Sequence, residues 1–377
     1  MSRQAPCLAG SGLARAEQTK AGQDRADMES EVDAMSRRSQ TRIPAELRLT
    51  ETSQCCWSCT ASPATKTCTR CLEARYCNRS CQEDHWRRHK PKCKTPAQRA
   101  QQRGLNEELY IASFDDDVQA VLGLIARGAD VKCQFAERGG WTALHAAAQE
   151  GQVRVVDALL VAGSEVDAVD SRGWTACHIA ARHGHVEVLR RLVLAGADVN
   201  RAATGSVGDR PLTQAAFKGH AAAIDFLVSA GASVHLRRAD GYAALHCTSS
   251  EGQLEAVRSL IRAGANVNLA AADEWGSSPI ICAATLGHAA VVKALAEAGA
   301  DVNFARAYDS LTALVIASQQ GHEAAVRDLL SLGADPRLAC TDGDTALRAA
   351  KRKNHTAIAA LLEAKLRELA AAAGASK

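Results

Sequence analysis

The feature that most constrains the fold of this chain is a glycine that recurs every 33 to 35 residues through its second half. These recurring glycines are Gly128, Gly163, Gly196, Gly231, Gly264, Gly299 and Gly333. A second set lies twelve residues before six of them, at Gly151, Gly184, Gly219, Gly252, Gly287 and Gly321. Each glycine follows a short apolar-periodic stretch, which is typical of a helix that ends in a residue with positive φ. The unit is therefore predicted to be a helix, a tight turn, a second helix and an extended, hairpin-like connection.

The composition indicates how such units pack. Hydrophobic residues make up 47% of the chain and aromatic residues only 4%, so the core is expected to consist of Ala, Leu and Val. A single helix pair cannot bury its own apolar face, and neighbouring pairs must stack to form one continuous core. The sequence thus predicts a mainly α solenoid.

The residues that open each first helix carry a family resemblance. They are Thr142-Ala143-Leu144-His145, Thr175-Ala176-Cys177-His178, Arg210-Pro211-Leu212-Thr213, Ala243-Ala244-Leu245-His246, Ser278-Pro279-Ile280-Ile281, Thr312-Ala313-Leu314-Val315 and Thr345-Ala346-Leu347-Arg348. This pattern resembles the Thr-Pro-Leu-His signature of the ankyrin repeat. The resemblance implies about eight ankyrin repeats over residues 105–370, with the terminal repeats as caps. Asp116 and Asn354 stand where the first and last units lack the inner glycine.

A cysteine cluster precedes the repeats. Most of the 14 cysteines lie between Cys55 and Cys93, in pairs separated by two or three residues, whereas the others stand singly. Such pairs place two thiolates on one metal ion, and Zn²⁺ takes four S or N ligands tetrahedrally. At four ligands per ion, eight cysteine and histidine ligands in this cluster indicate two zinc ions. Cys55 and His85 are surplus, and the two-residue gap to Cys59 favours Cys56 over Cys55.

The later half of this cluster, from Tyr76 to Cys93, resembles the MYND zinc finger. The resemblance implies one zinc on Cys56, Cys59, Cys77 and Cys81 and another on Cys68, Cys71, His89 and Cys93. It also implies that His85 is not a ligand. Since protein ligands fill every position, both ions are expected to be structural. The family uses the finger to capture short proline-containing peptides, which would place Gln82 and Trp86 near the groove. Trp86 has an alternative role as the small core of the finger.

These patterns give a domain organisation of four parts. Residues 1–52 are expected to be a disordered arm, residues 55–93 the MYND finger, residues 94–104 a linker and residues 105–370 the repeats. Nothing in residues 1–50 has the apolar centre of a signal peptide, and no stretch is long and apolar enough for a membrane span. We therefore expect an intracellular protein, cytoplasmic or nuclear, with no membrane partner.

Candidate contact residues precede the helix-opening tetrapeptides in the N-terminal half of the array. Trp141, Trp174 and Tyr242 occupy this position, and aromatic residues are frequent anchors of protein interfaces. The alternative, equally open, is that these rings pack on the neighbouring hairpin. The histidines at the fourth position of the tetrapeptides are expected to hydrogen-bond between neighbouring turns, as the resemblance implies. The histidines beside the inner glycines are predicted to lie at helix ends, a capping and turn location.

The function predicted from these regions is that of a non-enzymatic adaptor that binds other proteins. The formal net charge is only +3, and the local basic stretch after Trp86 lacks interleaved aromatic residues, so no nucleic-acid partner is expected. Nothing in the sequence indicates a small-molecule substrate. One alternative is a nuclear transcriptional co-regulator. Another is part of a lysine methyltransferase system, although repeats occupy the length that its cofactor domain requires.

Overall fold

The computed structural model of the chain describes residues 94–375, except Ser206, together with two short strands. The chain divides into two compact units, residues 1–93 and 94–377. In the first unit, β1 (Lys66–Thr67) pairs antiparallel with β2 (Arg75–Tyr76), with Lys66 opposite Tyr76. The predicted arm, the eight predicted zinc ligands, Gln82 and Trp86 lie outside the described residues.

The second unit consists of helix pairs, eight of them among the described residues. The first helices of the pairs are α1 (Pro96–Ala112), α3 (Ala143–Glu150), α5 (Ala176–His183), α7 (Pro211–Lys218), α9 (Ala244–Ser250), α11 (Pro279–Thr285), α13 (Ala313–Gln320) and α15 (Ala346–Arg352). The second helices are α2 (Val118–Ala126), α4 (Val153–Val161), α6 (Val186–Leu194), α8 (Ala221–Ser229), α10 (Leu254–Arg262), α12 (Ala289–Glu297), α14 (Glu323–Ser331) and α16 (Thr356–Ala375). First helices pack on first helices and second helices on second helices of the neighbouring pairs. The predicted ankyrin-repeat solenoid is confirmed.

The start of the array corrects one prediction. Residues 94–104 were expected to be a linker, but α1 begins at Pro96. The Thr95 hydroxyl accepts the N–H of Gln98 at 3.1 Å, and the Gln98 side chain accepts the N–H of Thr95 at 2.9 Å. This capping box, with proline in the first helical turn, starts the helix ahead of the apolar positions that marked the repeat in the sequence.

The core is continuous along the array and rests on small residues. Ala147, Ala180 and Ala215 in successive first helices have no exposed surface, and Leu159 and Leu192 in the second helices are equally buried. Alanine lets neighbouring first helices approach closely, while leucine fills the wider space between second helices. The composition-based expectation of a core with few aromatic residues is confirmed.

The turn between the two helices of a pair requires a left-handed residue. Gly184, for example, ends α5 with φ of +74°. The two units without this glycine meet the same requirement with Asp116 at φ of +53° and Asn354 at φ of +60°. Asp and Asn tolerate this region better than most residues with a β-carbon, so both substitutions keep the turn.

Seven hairpins connect consecutive pairs, and each is closed by one backbone hydrogen bond. The N–H of Phe135, for example, donates to the carbonyl of Trp141 at 3.0 Å, and a 3₁₀ turn (Ala136–Arg138) lies between them. We call the residues between each pair of closing positions a tip. The seven tips are residues 136–140, 171–173, 204–208, 239–241, 272–276, 307–310 and 341–343. Among the described helices, none is long and apolar enough to cross a membrane.

Candidate protein-interaction surface

The tetrapeptide histidines hold neighbouring repeats together. The Nε2 atoms of His145, His178 and His246 lie 3.1, 3.2 and 3.2 Å from backbone carbonyls of the following repeat. Their Nδ1 atoms accept the backbone N–H of the residue that caps the same helix, at 3.1 to 3.2 Å. Since a carbonyl can only accept, Nε2 carries the proton in each ring. The predicted hydrogen bond between turns is confirmed.

Burial keeps these histidines neutral. It lowers the pKa of His178 and of His246 to about 4, because desolvation disfavours the imidazolium. The same cause lowers the pKa of His145. The rings are therefore fixed connectors of the stack at neutral pH.

The histidines beside the inner glycines form a second inter-repeat series. The Nε2 atom of His185 lies 2.8 Å from the carbonyl of Gln149, and that of His220 lies 2.9 Å from the carbonyl of Arg182. The same contact recurs at His288, His322 and His355. The first four of these histidines stand at the N-cap positions of second helices, but their side chains make no capping hydrogen bond there. The predicted location is confirmed, but the side chain reaches back to the preceding repeat instead of capping its own helix.

A third series, missed in the sequence, joins the hairpins. The side chain of Asn200 accepts the N–H of Ser233 at 2.9 Å and donates to the carbonyl of Gly231 at 3.0 Å. Asn268 and Asn303 make the equivalent contacts two and three repeats further on. The recurrence of asparagine two residues after Asp198, Asn266 and Asp301 was the signal that could have identified it.

The three aromatic candidates from the sequence are largely built into the stack. Trp141 is half-buried with its ring centroid 6.0 Å from that of His145, and half-buried Tyr242 stands edge-on at 5.4 Å from His246. Trp174 is only 9% exposed. An interface anchor presents its ring to a partner, whereas Trp174 presents almost none.

The ring of Trp174 instead organises two guanidinium groups. Arg172 lies 4.3 Å and Arg182 5.4 Å from its centroid. Arg172 is also paired with buried Asp170 at 2.9 Å, and Arg182 donates to Gln214 at 2.9 Å. Cation–π contacts of this kind fix the position of long side chains. Packing is therefore the role that the structure supports for Trp174.

An exposed aromatic pair lies elsewhere, in the C-terminal half of the array. Tyr308 in the sixth tip is 64% exposed, and its ring centroid lies 4.9 Å from that of half-buried Trp275 in the fifth tip. Neither residue stands at the position before a tetrapeptide, where the three aromatic candidates from the sequence lie. An aromatic residue between the turn signals of a hairpin was the available clue.

Charge is distributed unevenly along the array. Residues 171–238 contain nine basic and four acidic residues, a formal balance of +5. Residues 266–344 contain four basic and ten acidic residues, a formal balance of −6. The aromatic pair thus lies in the acidic stretch, and the small net charge of the whole chain conceals two regions of opposite sign.

Comparison with known proteins agrees with this architecture. The family model for ankyrin repeats in three copies matches residues 109–203 and 212–306, and the single ankyrin-repeat model matches residues 309–341. The MYND finger model matches residues 56–93. No curated protein matches the chain.

Among solved structures, the fold is similar to the crystal structure of the human ASB11 ankyrin repeat domain. The two share 23% sequence identity with a TM-score of 0.54, over 60% of this chain and 98% of that chain. At this identity the likeness concerns the fold alone. The repeats, the finger and their order along the sequence place the chain in the ankyrin-repeat family, as a member that carries a zinc-binding MYND finger ahead of its repeats.

Proposed function

We propose that this protein is a non-enzymatic adaptor that binds partner proteins through the tips of its hairpins and through its MYND finger. The ankyrin-repeat fold is typically an interaction scaffold, and the finger is a zinc-binding module. One observation carries the proposal. The glycines and small apolar residues that build the stack recur in register from repeat to repeat, whereas the tips differ in length and chemistry.

The second, fourth and fifth tips show how much the tips differ. The second and fourth tips have three residues, Ser171 to Gly173 and Ala239 to Gly241, and the fifth has five, from Ala272 to Gly276. Their exposed side chains are basic, acidic, or acidic beside an aromatic ring. A surface that is held rigidly and varies from one unit to the next suits recognition of one particular partner.

Capture of partners tests this role. The full chain is used as bait for proximity labelling beside a tip variant in which Glu137, Asp240, Glu274 and Tyr308 are changed to serine. The matched control changes four exposed residues of the second helices, Glu187, Leu194, Glu255 and Glu297, to serine. We expect the tip variant to lose labelled proteins that the control retains, and equal labelling by both would overturn the proposal.

The zinc content of the finger is the second part of the proposal. Two structural ions would be held by Cys56, Cys59, Cys77 and Cys81 and by Cys68, Cys71, His89 and Cys93. The β1–β2 pairing supports this arrangement, because Cys68 and Cys71 lie in sequence between the paired strands and Cys77 directly follows the second. A module of about 40 residues has too small a core to fold alone, and structural zinc supplies the missing stability.

Elemental analysis with matched variants tests the ligand set. We expect two zinc ions per chain in the purified protein, two in Cys55→Ser and His85→Gln, and fewer in Cys56→Ser and His89→Gln. Loss of zinc from Cys55→Ser with retention in Cys56→Ser would reverse the choice between the two cysteines. None or one in well-folded protein would contradict the two-zinc assignment.

The finger is proposed to take proline-containing peptides near Gln82 and Trp86. Titration of a labelled proline-rich peptide with the full chain and with Gln82→Ala tests this role. A side chain at the groove would weaken binding on removal without loss of zinc. Equal binding by both proteins would count against it.

A further inference from the structure

The fifth and sixth tips (residues 272–276 and 307–310) differ from the other tips in how they meet. At the five other junctions between consecutive tips, the later tip donates a backbone N–H to a carbonyl of the preceding hairpin. The donors are Ser171, Gly205, Ala239, Ala272 and Thr341, at 2.8 to 3.1 Å. Ala307 holds the equivalent place in the sixth tip, but no backbone bond joins it to the fifth tip in the described chain. The series of bonds between tips is interrupted here.

The two aromatic rings bridge this interruption. Trp275 and Tyr308 meet edge to face, with their ring planes at 72°, while Gly276 and Ala307 face each other closely. A β-carbon at Gly276 would lie 3.4 Å from that of Ala307. The junction therefore presents an exposed tyrosine ring beside a main-chain N–H that has no backbone partner among the described residues.

The surroundings of the rings favour a cation. The guanidinium of Arg306 already lies 5.2 Å from the centroid of Trp275, and Arg306 is itself paired with Asp309. Glu274 is exposed, and Asp273 accepts the N–H of Gly276 at 2.7 Å. Neither carboxylate forms an ion pair with another described residue. Two acidic residues thus directly precede Trp275 in the fifth tip, within a stretch whose formal balance is −6.

We propose that the junction of the fifth and sixth tips is a docking site for an extended, arginine- or lysine-bearing segment of a partner protein. The proposal deepens the adaptor function and rests on it. A basic side chain of the partner lies over the exposed face of Tyr308, as Arg306 lies over Trp275, because the negative face of an aromatic ring attracts a cation. Glu274 and Asp273 supply the complementary charge, and the N–H of Ala307 is available to a carbonyl of the bound chain.

A peptide titration with the full chain tests this site. The probe is a short fluorescent peptide in which arginine alternates with serine, and the comparison peptide alternates glutamate with serine. We expect the basic peptide to bind and Tyr308→Ala to weaken its binding about tenfold, whereas Tyr308→Phe, which keeps the ring, binds like the wild type. Glu274→Gln should weaken binding about threefold and make it less sensitive to salt.

Leu194→Ala is the matched control, because Leu194 is 76% exposed on a second helix and lies far along the chain from the fifth and sixth tips. It should bind the basic peptide like the wild type. Equal binding of basic and acidic peptides, unchanged affinity in Tyr308→Ala, or no binding of the basic peptide would overturn the site. If partner capture still depends on the tips in that case, the adaptor function stands and only the basic docking segment is wrong.

Discussion

The imidazole of His220 packs against Gly184 of the preceding repeat so closely that a β-carbon at Gly184 would lie 2.7 Å from Nδ1. The other ring nitrogen, Nε2, donates to the carbonyl of Arg182 at 2.9 Å, so the ring cannot swing aside without losing that bond. Glycine is thus required at position 184 for two reasons. The backbone has a positive φ, and a β-carbon would collide with the His220 ring. The same contact recurs between Gly151 and His185 and further along the stack.

This double requirement gives a prediction for Gly184→Ala. A β-carbon at φ of +74° costs about 1 kcal/mol of unfolding free energy, and displacement of the His220 ring adds at least as much again. We expect a loss of about 2 to 4 kcal/mol in urea unfolding monitored by circular dichroism.

Gly196→Ala separates the two contributions. Gly196 has φ of +91° but nothing within 4 Å of its added β-carbon. It should cost only about 1 kcal/mol. Equal losses for the two variants would mean that the His220 contact contributes nothing to stability.

The sequence predicted the glycine in this contact but not the histidine's role. The period of the glycines identifies the helix pairs, because positive φ at a helix end is a local requirement that one residue type meets. The partner of His220 lies 38 residues away, so no local pattern names it. The aromatic pair was missed for a similar reason, since Trp275 and Tyr308 meet only after neighbouring repeats stack. Conversely, tryptophan is a residue type typical of interface anchors, and only the packed structure shows that Trp174 is buried.

The buried histidines predict a loss of stability in mild acid. His178 and His246 have a pKa of about 4 when folded, against about 6.5 in an unfolded chain. Between these values the unfolded chain binds protons that the folded chain excludes, so stability is complete above pH 6.5 and falls as the pH drops towards 4. Each histidine should cost about 2 kcal/mol between pH 7.5 and pH 5. Urea unfolding at the two pH values measures the loss.

His178→Thr is the informative variant, because threonine already holds the same place in the next repeat. There the hydroxyl of Thr213 accepts the N–H of Arg210, the residue before its helix, at 2.8 Å. At pH 7.5 we expect the variant to be about 1 kcal/mol less stable to unfolding than the wild type, because it lacks the bond to the carbonyl of Asp209. On acidification to pH 5 it should lose about 2 kcal/mol less stability than the wild type. An unaltered acid loss in His178→Thr would exclude this ring as its source.

The burial of Trp174 predicts a structural cost for its removal. Trp174→Ala leaves a cavity and releases the guanidinium groups of Arg172 and Arg182, so we expect a loss of about 3 to 5 kcal/mol. Tyr308→Ala, which removes an exposed ring, should cost about 0.5 kcal/mol or less. Thermal unfolding of the two variants compares them directly. A stable Trp174→Ala protein that has lost its partners would instead restore Trp174 as a contact residue.

The capping box at Thr95 predicts that the chain is ordered from the residue after it. Thr95→Ala removes the oxygen that accepts the N–H of Gln98, and Gln98→Ala removes the group that accepts the N–H of Thr95. Each substitution should destabilise the first turn of α1 by about 1 kcal/mol, because one N–H at the start of the helix then loses its hydrogen-bond acceptor. Hydrogen exchange of the amides of Gln98 and Arg99 should accelerate about fivefold in Thr95→Ala, with no change in α3. Exchange that is already fast in the wild type would mean that residues 94–104 behave as the linker expected from the sequence.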